Sequence, residues 1–193
     1  MNRDHPHQPT RLVVGVTGSS APQLAVTLLE VLRDIEAVQV HLIVSRGAER
    51  SIELELGLSR KHIEELGDVV YDPQDMAAAI SSGSFLVAGM AVVPCSMKTL
   101  ASVATGMSID LIARAADVNL KERRPVVLVT RETPLNLIHI RNMETVTLAG
   151  ATVLPPVPAF YHKPESIEDL LRQTAGKVLD QFGIAHSAFR RWS

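Results

Sequence analysis

The chain has 193 residues, 46% of them hydrophobic, 4% aromatic and 21% charged. One domain is expected, with folding burying roughly 70% of the unfolded chain's surface, and that apolar content excludes a disordered, collagen-like or mucin-like chain. A formal net charge of −2 gives no electrostatic footing for nucleic acid or an anionic membrane. The one cysteine, Cys95, leaves no internal disulfide and points to a reducing compartment. Residues 1–10 are polar and lack the apolar stretch of a signal peptide. They are expected to be a flexible tail, with His5 and His7 in it, ahead of one domain over 11–193. No window approaches about eighteen uninterrupted apolar residues, so no membrane span is expected and the cytoplasm is the expected location.

In chain order, Arg11 to Thr17 (RLVVGVT) is a short apolar run, the pattern of a strand covered on both faces. Gly18-Ser19-Ser20-Ala21 then turns, and Pro22 opens a helix carrying Leu24, Leu28, Leu29, Leu32 and Ile35 at helical spacing. Val38 to Val44 reads as a second strand ending at Ser45. Helices are expected near 47–56 and 59–66, with a short extended piece at 69–71. Gly89 to Val93 is a further buried strand, expected to stop at Pro94-Cys95-Ser96. Helical patterns cover 97–105 and 110–122, a strand covers 126–130, a helix covers 136–149 and a strand covers 152–154. With four prolines, Pro155 to Pro164 (PPVPAFYHKP) cannot be regular structure. Ser166 caps a last helix to about Phe182, with Gly183 as its stop. Such alternation means right-handed crossovers and a parallel, doubly wound α/β sheet.

A strand, a Gly-rich turn and a helix N-terminus together form an anion site, because free N–H groups and the helix dipole face it. The turn here is Gly15-Val16-Thr17-Gly18-Ser19-Ser20-Ala21. A dinucleotide site needs a further close-approach Gly and an acid ending the second strand, where this chain has Ser45. The Walker lysine pattern is also absent, so a mononucleotide with one phosphate fits better. Pro94-Cys95-Ser96-Met97-Lys98-Thr99 ends another strand, and Arg131-Glu132 ends the next. In an open α/β sheet the ligand lies beyond the carboxyl ends of the strands, where these segments converge.

Taken together, these blocks resemble the UbiX family of flavin prenyltransferases, most of all the branch found as the small B subunit of phenolic-acid decarboxylase systems. The likeness is carried by Thr17-Gly18-Ser19-Ser20, Ile80-Ser81-Ser82-Gly83-Ser84-Phe85, Pro94 to Leu100, Arg114-Ala115-Ala116-Asp117-Val118 and Leu120-Lys121-Glu122-Arg123. Arg131 to Leu135, His139 with Asn142-Met143, and Pro155-Pro156 through Tyr161 complete it, so that it spans about Leu12 to Ile184. The resemblance implies a Rossmann-like, flavodoxin-type three-layer fold in a homo-oligomer, usually a dodecamer, with FMN near subunit interfaces. It implies transfer of a dimethylallyl group from dimethylallyl phosphate to N5 and C6 of reduced FMN. The prenylated FMN so formed would serve a UbiD-type aromatic acid decarboxylase, and no metal is needed.

Carried over by position, Gly18, Ser19, Ser20, Ser45, Ser96, Met97, Lys98, Thr99 and Arg131 would contact FMN. Ser20 would act near the flavin N5 with Glu55 beside it. Ser82, Ser84, Arg114, Lys121, Glu132, Tyr161 and Lys177 match positions around the allyl phosphate or the catalytic step. Breaking an allylic C–O bond puts charge on the departing phosphate, which fixed cations such as Lys121 and Arg114 stabilise. Closing the ring at C6 removes a proton, for which Glu132 or the retained phosphate is the base. Tyr161, in a rigid Pro-rich loop, is suited to closing over the phosphate.

Each residue also has a plainer reading. Arg114 and Asp117, three apart on a helix, can simply pair. Lys121 and Glu122 can be solvated, Cys95 can be a buried filler, and His139 can serve helix packing. This chain departs from the family at Ser19-Ser20-Ala21, where Ala-Ser-Gly or Ala-Thr-Gly is usual. Met76 stands in place of an aromatic, Ile109-Asp110 in place of Asp-Asn or Asn-Asn, and Lys177 in place of an Arg. A flavoprotein decarboxylase of peptidyl cysteine shares the fold, but its base is a His near the first helix, and Gln8 to Val40 contains none. A non-catalytic FMN-binding subunit of a decarboxylase complex is the remaining alternative.

Overall fold

The computed structural model describes residues 9–192. The expectation for His5 and His7, and most of the expected tail, lies outside them. Six strands form one all-parallel sheet: β1 (Thr10–Val16), β2 (Val38–Val44), β3 (Val69–Tyr71), β4 (Gly89–Cys95), β5 (Val126–Thr130) and β6 (Thr152–Val153). The order β3-β2-β1-β4-β5-β6 places a topological switch between β1 and β4. Seven helices cover it: α1 (Gln23–Arg33), α2 (Arg46–Leu56), α3 (Arg60–Glu64), α4 (Met97–Thr105), α5 (Leu111–Lys121), α6 (Leu137–Leu148) and α7 (Ile167–Asp180).

Alternation along each buried strand divides the apolar residues between two cores. Leu12, Val14, Val16, Leu42 and Val44 face α1, α2, α3 and α7. Val13, Ile43, Met90, Val92 and Leu128 face α4, α5 and α6. A parallel sheet buried on both faces needs this double supply of β-branched and Leu residues, which explains the unbroken apolar runs. The result is the expected three-layer, doubly wound α/β fold.

Strand β4 continues two residues beyond its expected stop, through Pro94 to Cys95. Its ladder with β5 shifts register between Val92 and Cys95, and proline, which lacks an N–H, is tolerated at such an irregularity. His139 caps a helix instead of packing against one. The Asn136 side chain accepts from the His139 N–H at 2.9 Å, and the Asn136 N–H donates to His139 Nδ1 at 3.4 Å. Cys95 is fully buried, and burial pushes its thiol up to about 12, consistent with a filler and not a nucleophile. No helix among the described residues is long and apolar enough to cross a membrane.

One buried imidazole makes the fold sensitive to acid. His41 of β2 lies with Nδ1 2.8 Å from the Tyr71 hydroxyl and is nearly closed to solvent. Burial, and then the Arg11 cation, lower its pKa below 6.5. The unfolded chain therefore binds this proton more readily, and the stability of neutral His41 is present above about pH 6.5 and lost as the pH falls toward the folded-state value. Thermal midpoints taken at about pH 7.5 and pH 5.5 should fall more in the parent than in His41→Gln. Each kcal/mol of that difference should appear as roughly 2–4 °C.

Candidate functional site

The carboxyl ends of the strands at the switch enclose a cleft of about 420 Å³, within the roughly 300–1,000 Å³ range of small-molecule sites. Thr17, buried, follows the last residue of β1. Its Oγ1 donates to the Pro94 carbonyl at 2.7 Å and accepts from the Ser96 N–H at 2.8 Å, joining β1 to β4. Ser19 extends the tie to β5 by donating to the Arg131 carbonyl at 2.9 Å. On the outer rim, Glu55 of α2 accepts from the Ser20 hydroxyl at 3.1 Å and the Ala21 N–H at 3.0 Å. Ala21 sits at φ +69°, a left-handed conformation that costs a residue with a Cβ about 1–2 kcal/mol. A glycine there would adopt it freely.

Two helices begin at this cleft. Ser45 caps α2 by accepting from the Ala48 N–H. Ser96 caps α4 by accepting from the Thr99 N–H, and its hydroxyl lies 3.1 Å from that of Thr99. Both helix N-termini bring partial positive charge to the same space. Gly18 is required for the close approach. A Cβ there would fall 2.7–2.9 Å from the Gly47 backbone, so the Gly-rich turn lies directly on the start of α2.

Gly18, Ser45, Ser96, Met97, Lys98, Thr99 and Glu132 line the cleft. The Glu132 carboxylate accepts from the Thr133 N–H at 3.0 Å. Arg131 is half-buried just before it, and Ser20 with Glu55 forms the neighbouring rim. The sequence reading missed Arg46, Gly47, Gln74 and Asp110, which also line the space. Two of them carried signals. Gly47 is a glycine in the first turn of the helix that follows β2, and Asp110 is an N-cap residue before an apolar run, where it accepts from the Ala113 N–H. Gln74 reaches the cleft only because β3 lies beside β2.

The remaining positions lie elsewhere on the protomer. Arg114 pairs with Asp117 at 2.8 Å and donates to the Ser81 carbonyl at 3.2 Å. Residues 81–85 run from there along α5, with the Ser82 and Ser84 hydroxyls 2.9 Å apart and Lys121 paired with Glu122 nearby. Ser84 lines a separate cavity with Thr10 and Arg11 at the amino-terminal edge of the sheet. The length of β1, about 20 Å, separates it from the cleft. Tyr161 adjoins Trp192, and Lys177 lies 3.5 Å from Asp180 on α7. Among the described residues no three His, Cys, Asp or Glu side chains gather as a metal site.

The close approach of turn and helix predicts an order of sensitivity. Gly18→Ala should cost about 1–3 kcal/mol by overpacking. Gly47→Ala should cost less, because its Cβ would stand 3.2 Å from the Gly18 Cα. Chemical denaturation of the two variants beside the parent measures the order, and equal stability of all three would contradict it.

The chain matches the Flavoprotein family over residues 2–179. It is 50% identical to a probable UbiX-like flavin prenyltransferase of Streptomyces sp. (strain D7), over 95% of this chain and 92% of the relative. It is 48% identical to the flavin prenyltransferase UbiX of Escherichia coli (strain K12), over 94% and 97%. Among solved structures, AnUbiX (PadA1) in complex with FMN and dimethylallyl pyrophosphate superposes with a TM-score of 0.94 at 50% identity, covering 96% of this chain and 98% of that one. A dodecameric FMN-dependent UbiX-like decarboxylase from Escherichia coli O157:H7 gives 0.92 at 47%, covering 95% and 100%. Identity near one half along almost the full length of these chains, on a sheet with its cleft at the switch point, leaves one conclusion: the chain belongs to the UbiX-like flavin prenyltransferases of the flavoprotein family.

Proposed function

We propose that the protein joins the dimethylallyl group of an allylic phosphate ester to N5 and C6 of reduced FMN, making prenylated FMN for a UbiD-type aromatic acid decarboxylase. The observation that carries this reading is the switch-point cleft, with two helix N-termini, four hydroxyl residues (Thr17, Ser45, Ser96 and Thr99) and Lys98 around it. It suits a terminal phosphate ester on a hydroxyl-bearing chain. Ser45, and no acid, follows β2, so the ribose grip of a dinucleotide is missing. Gly18, Ser19, Ser20, Ser45, Ser96, Met97, Lys98, Thr99 and Arg131 would hold FMN there. When bound, the reduced flavin supplies the nucleophilic nitrogen and the ring carbon that the dimethylallyl group joins.

The chain's own groups then have distinct tasks. As the allylic C–O bond breaks, its electron pair leaves with the phosphate, and Arg114, Lys121 and Lys177 stabilise the charge that grows there. Ser82, Ser84 and Tyr161 position that phosphate. Ser20, hydrogen-bonded to Glu55, passes a proton on the N5 side. Glu132, on the cleft wall, takes the proton lost from C6. Several of these residues lie far from the cleft in one protomer, so the complete site forms between copies in a homo-oligomer, a dodecamer in this reading. The surface of α6 supports such assembly: Leu137, Ile138, Ile140 and Leu148 are more than half exposed, and Val146 is that helix's one buried residue. The buried, unpaired thiol of Cys95 agrees with a reducing cytoplasm.

Two measurements test the reading. The purified protein should take up FMN stoichiometrically and prefer it to FAD, whose extra nucleotide would have to pass the capped helix ends. Glu132→Gln should keep FMN binding and slow single-turnover prenylation by roughly 10²-fold. An unchanged rate would give the proton to the phosphate, and absence of flavin binding would remove the reading altogether.

A further inference from the structure

Six charged side chains surround the switch-point cleft. Arg46, Lys98, Asp110 and Glu132 line it, Arg131 directly precedes Glu132, and Glu55 stands on the rim beside Ser20. None of the six forms an ion pair among the described residues. The other charges near the end of β3 and the start of α5 are engaged elsewhere. Asp72 and Glu49 act on Arg60, Asp75 accepts from the Ala77 N–H, and Arg114 pairs with Asp117. Formal charges around the cleft therefore balance, three against three, until FMN brings its phosphate. A phosphate monoester adds about two negative charges, and the ends of α2 and α4 offset roughly half a charge each, which leaves the loaded cleft negative by about one.

Of the three carboxylates, Glu55 and Glu132 have tasks in the proposed reaction, whereas Asp110 has none. Its Oδ1 accepts from the Ala113 N–H at 2.9 Å and so caps α5. The Leu111 N–H donates to the Pro73 carbonyl at 2.8 Å, which fixes this helix start at the cleft wall. Oδ2 has no hydrogen-bond partner among the described residues, and Asp110 is half-buried. Capping α5 needs an acceptor but no charge, because Asn and Ser cap a helix as well as Asp does. The charge is what the cap leaves unexplained.

We propose that the Asp110 carboxylate tunes the reduced flavin in the cleft, raising the proton affinity of its N1 position. Reduced FMN exchanges the N1 proton with water close to neutral pH, and losing it leaves a negative charge on the ring system. A cleft of about 420 Å³ is roughly 10 Å across, so a flavin ring in it lies within about one Debye length of Asp110. At that distance, with an effective dielectric constant between about 20 and 80, one unit charge shifts an equilibrium roughly 2- to 15-fold. The sign is fixed: a carboxylate disfavours the anion, so the proton stays on N1 to higher pH. A neutral ring spares the incoming allylic phosphate, itself an anion, one repulsion. Asp110 is then a tuning residue that acts through space. The inference rests on the FMN reading and is separable from prenyl transfer.

The test needs no turnover. The stoichiometric FMN complex is reduced anaerobically and titrated across neutral pH with no allylic phosphate present, and N1 ionisation is followed by absorbance. Asp110→Asn keeps the cap, so it should take up FMN as the parent does. It should lower the N1 midpoint by about 0.3–1.2 pH units, the same factor of 2 to 15. Asp110→Ser, a second neutral cap, should match it. Asp110→Glu returns the charge and should return the midpoint toward the parent value. Equal midpoints in the parent and both neutral variants, a midpoint raised by them, or an Asp110→Glu protein that behaves as they do would each overturn the proposal. Failure to bind FMN would overturn the flavin reading and this proposal with it. Shifted midpoints without prenylated product would support the role of Asp110 and overturn prenyl transfer instead.

Discussion

Thr17 stands where β1 ends and the sheet reverses its order, and its hydroxyl is at once a donor to Pro94 and an acceptor from Ser96. Each bond contributes a net 0.5–1.5 kcal/mol or so, but leaving the buried carbonyl and N–H unmet would cost about 1–3 kcal/mol apiece. This clamp sets the distance between the two halves of the sheet. With Ser19 reaching the Arg131 carbonyl, it brings the ends of β1, β4 and β5 within hydrogen-bond lengths of one another. The N-termini of α2 and α4 can open onto a single cleft because the strands before them end in this relation.

A preformed cleft contrasts with cations spread over the surface. Arg114, Lys121 and Lys177 each have a carboxylate near at hand on the same or the next turn: Asp117, Glu122 and Asp180. All three cations are at least one third exposed, and pairs of that kind contribute only about 0–1 kcal/mol. Such partners hold the side chains in position, and in the proposed reaction they would give them up to a dianionic phosphate. Both the plain reading, in which Arg114 and Asp117 pair, and the functional one are therefore compatible with the same geometry. The exposed apolar side of α6 has the same logic at larger scale. It buries little within its own chain and leaves an apolar face exposed, which the proposed homo-oligomer would cover.

Much of the architecture was legible because periodicity is a local property. The bounds of β2, α4 and β5 match their expected ranges, since continuous β-branched runs and capping residues mark both ends. The expected end of β4 was two residues short. Proline ordinarily stops a ladder, and only the register shift against β5 makes room for it. His139 was expected to serve packing, and it completes a capping box with Asn136. Helix caps depend on neighbours three residues apart, a pattern the sequence displayed but that polar periodicity alone did not single out.

By itself the sequence determined the alternation of strands and helices, the anion-binding turn at Gly18, the absence of a dinucleotide acid after β2, and the family. Those are carried by residue type and spacing along the chain. The tertiary structure decided what spacing cannot encode. It placed Gly47 against Gly18, brought Gln74 and Asp110 to the cleft, and divided the remaining cations between the edge of the sheet and the C-terminal corner. Those relations join residues tens of positions apart, and they follow from strand order and from the close packing of backbones, which no local pattern records.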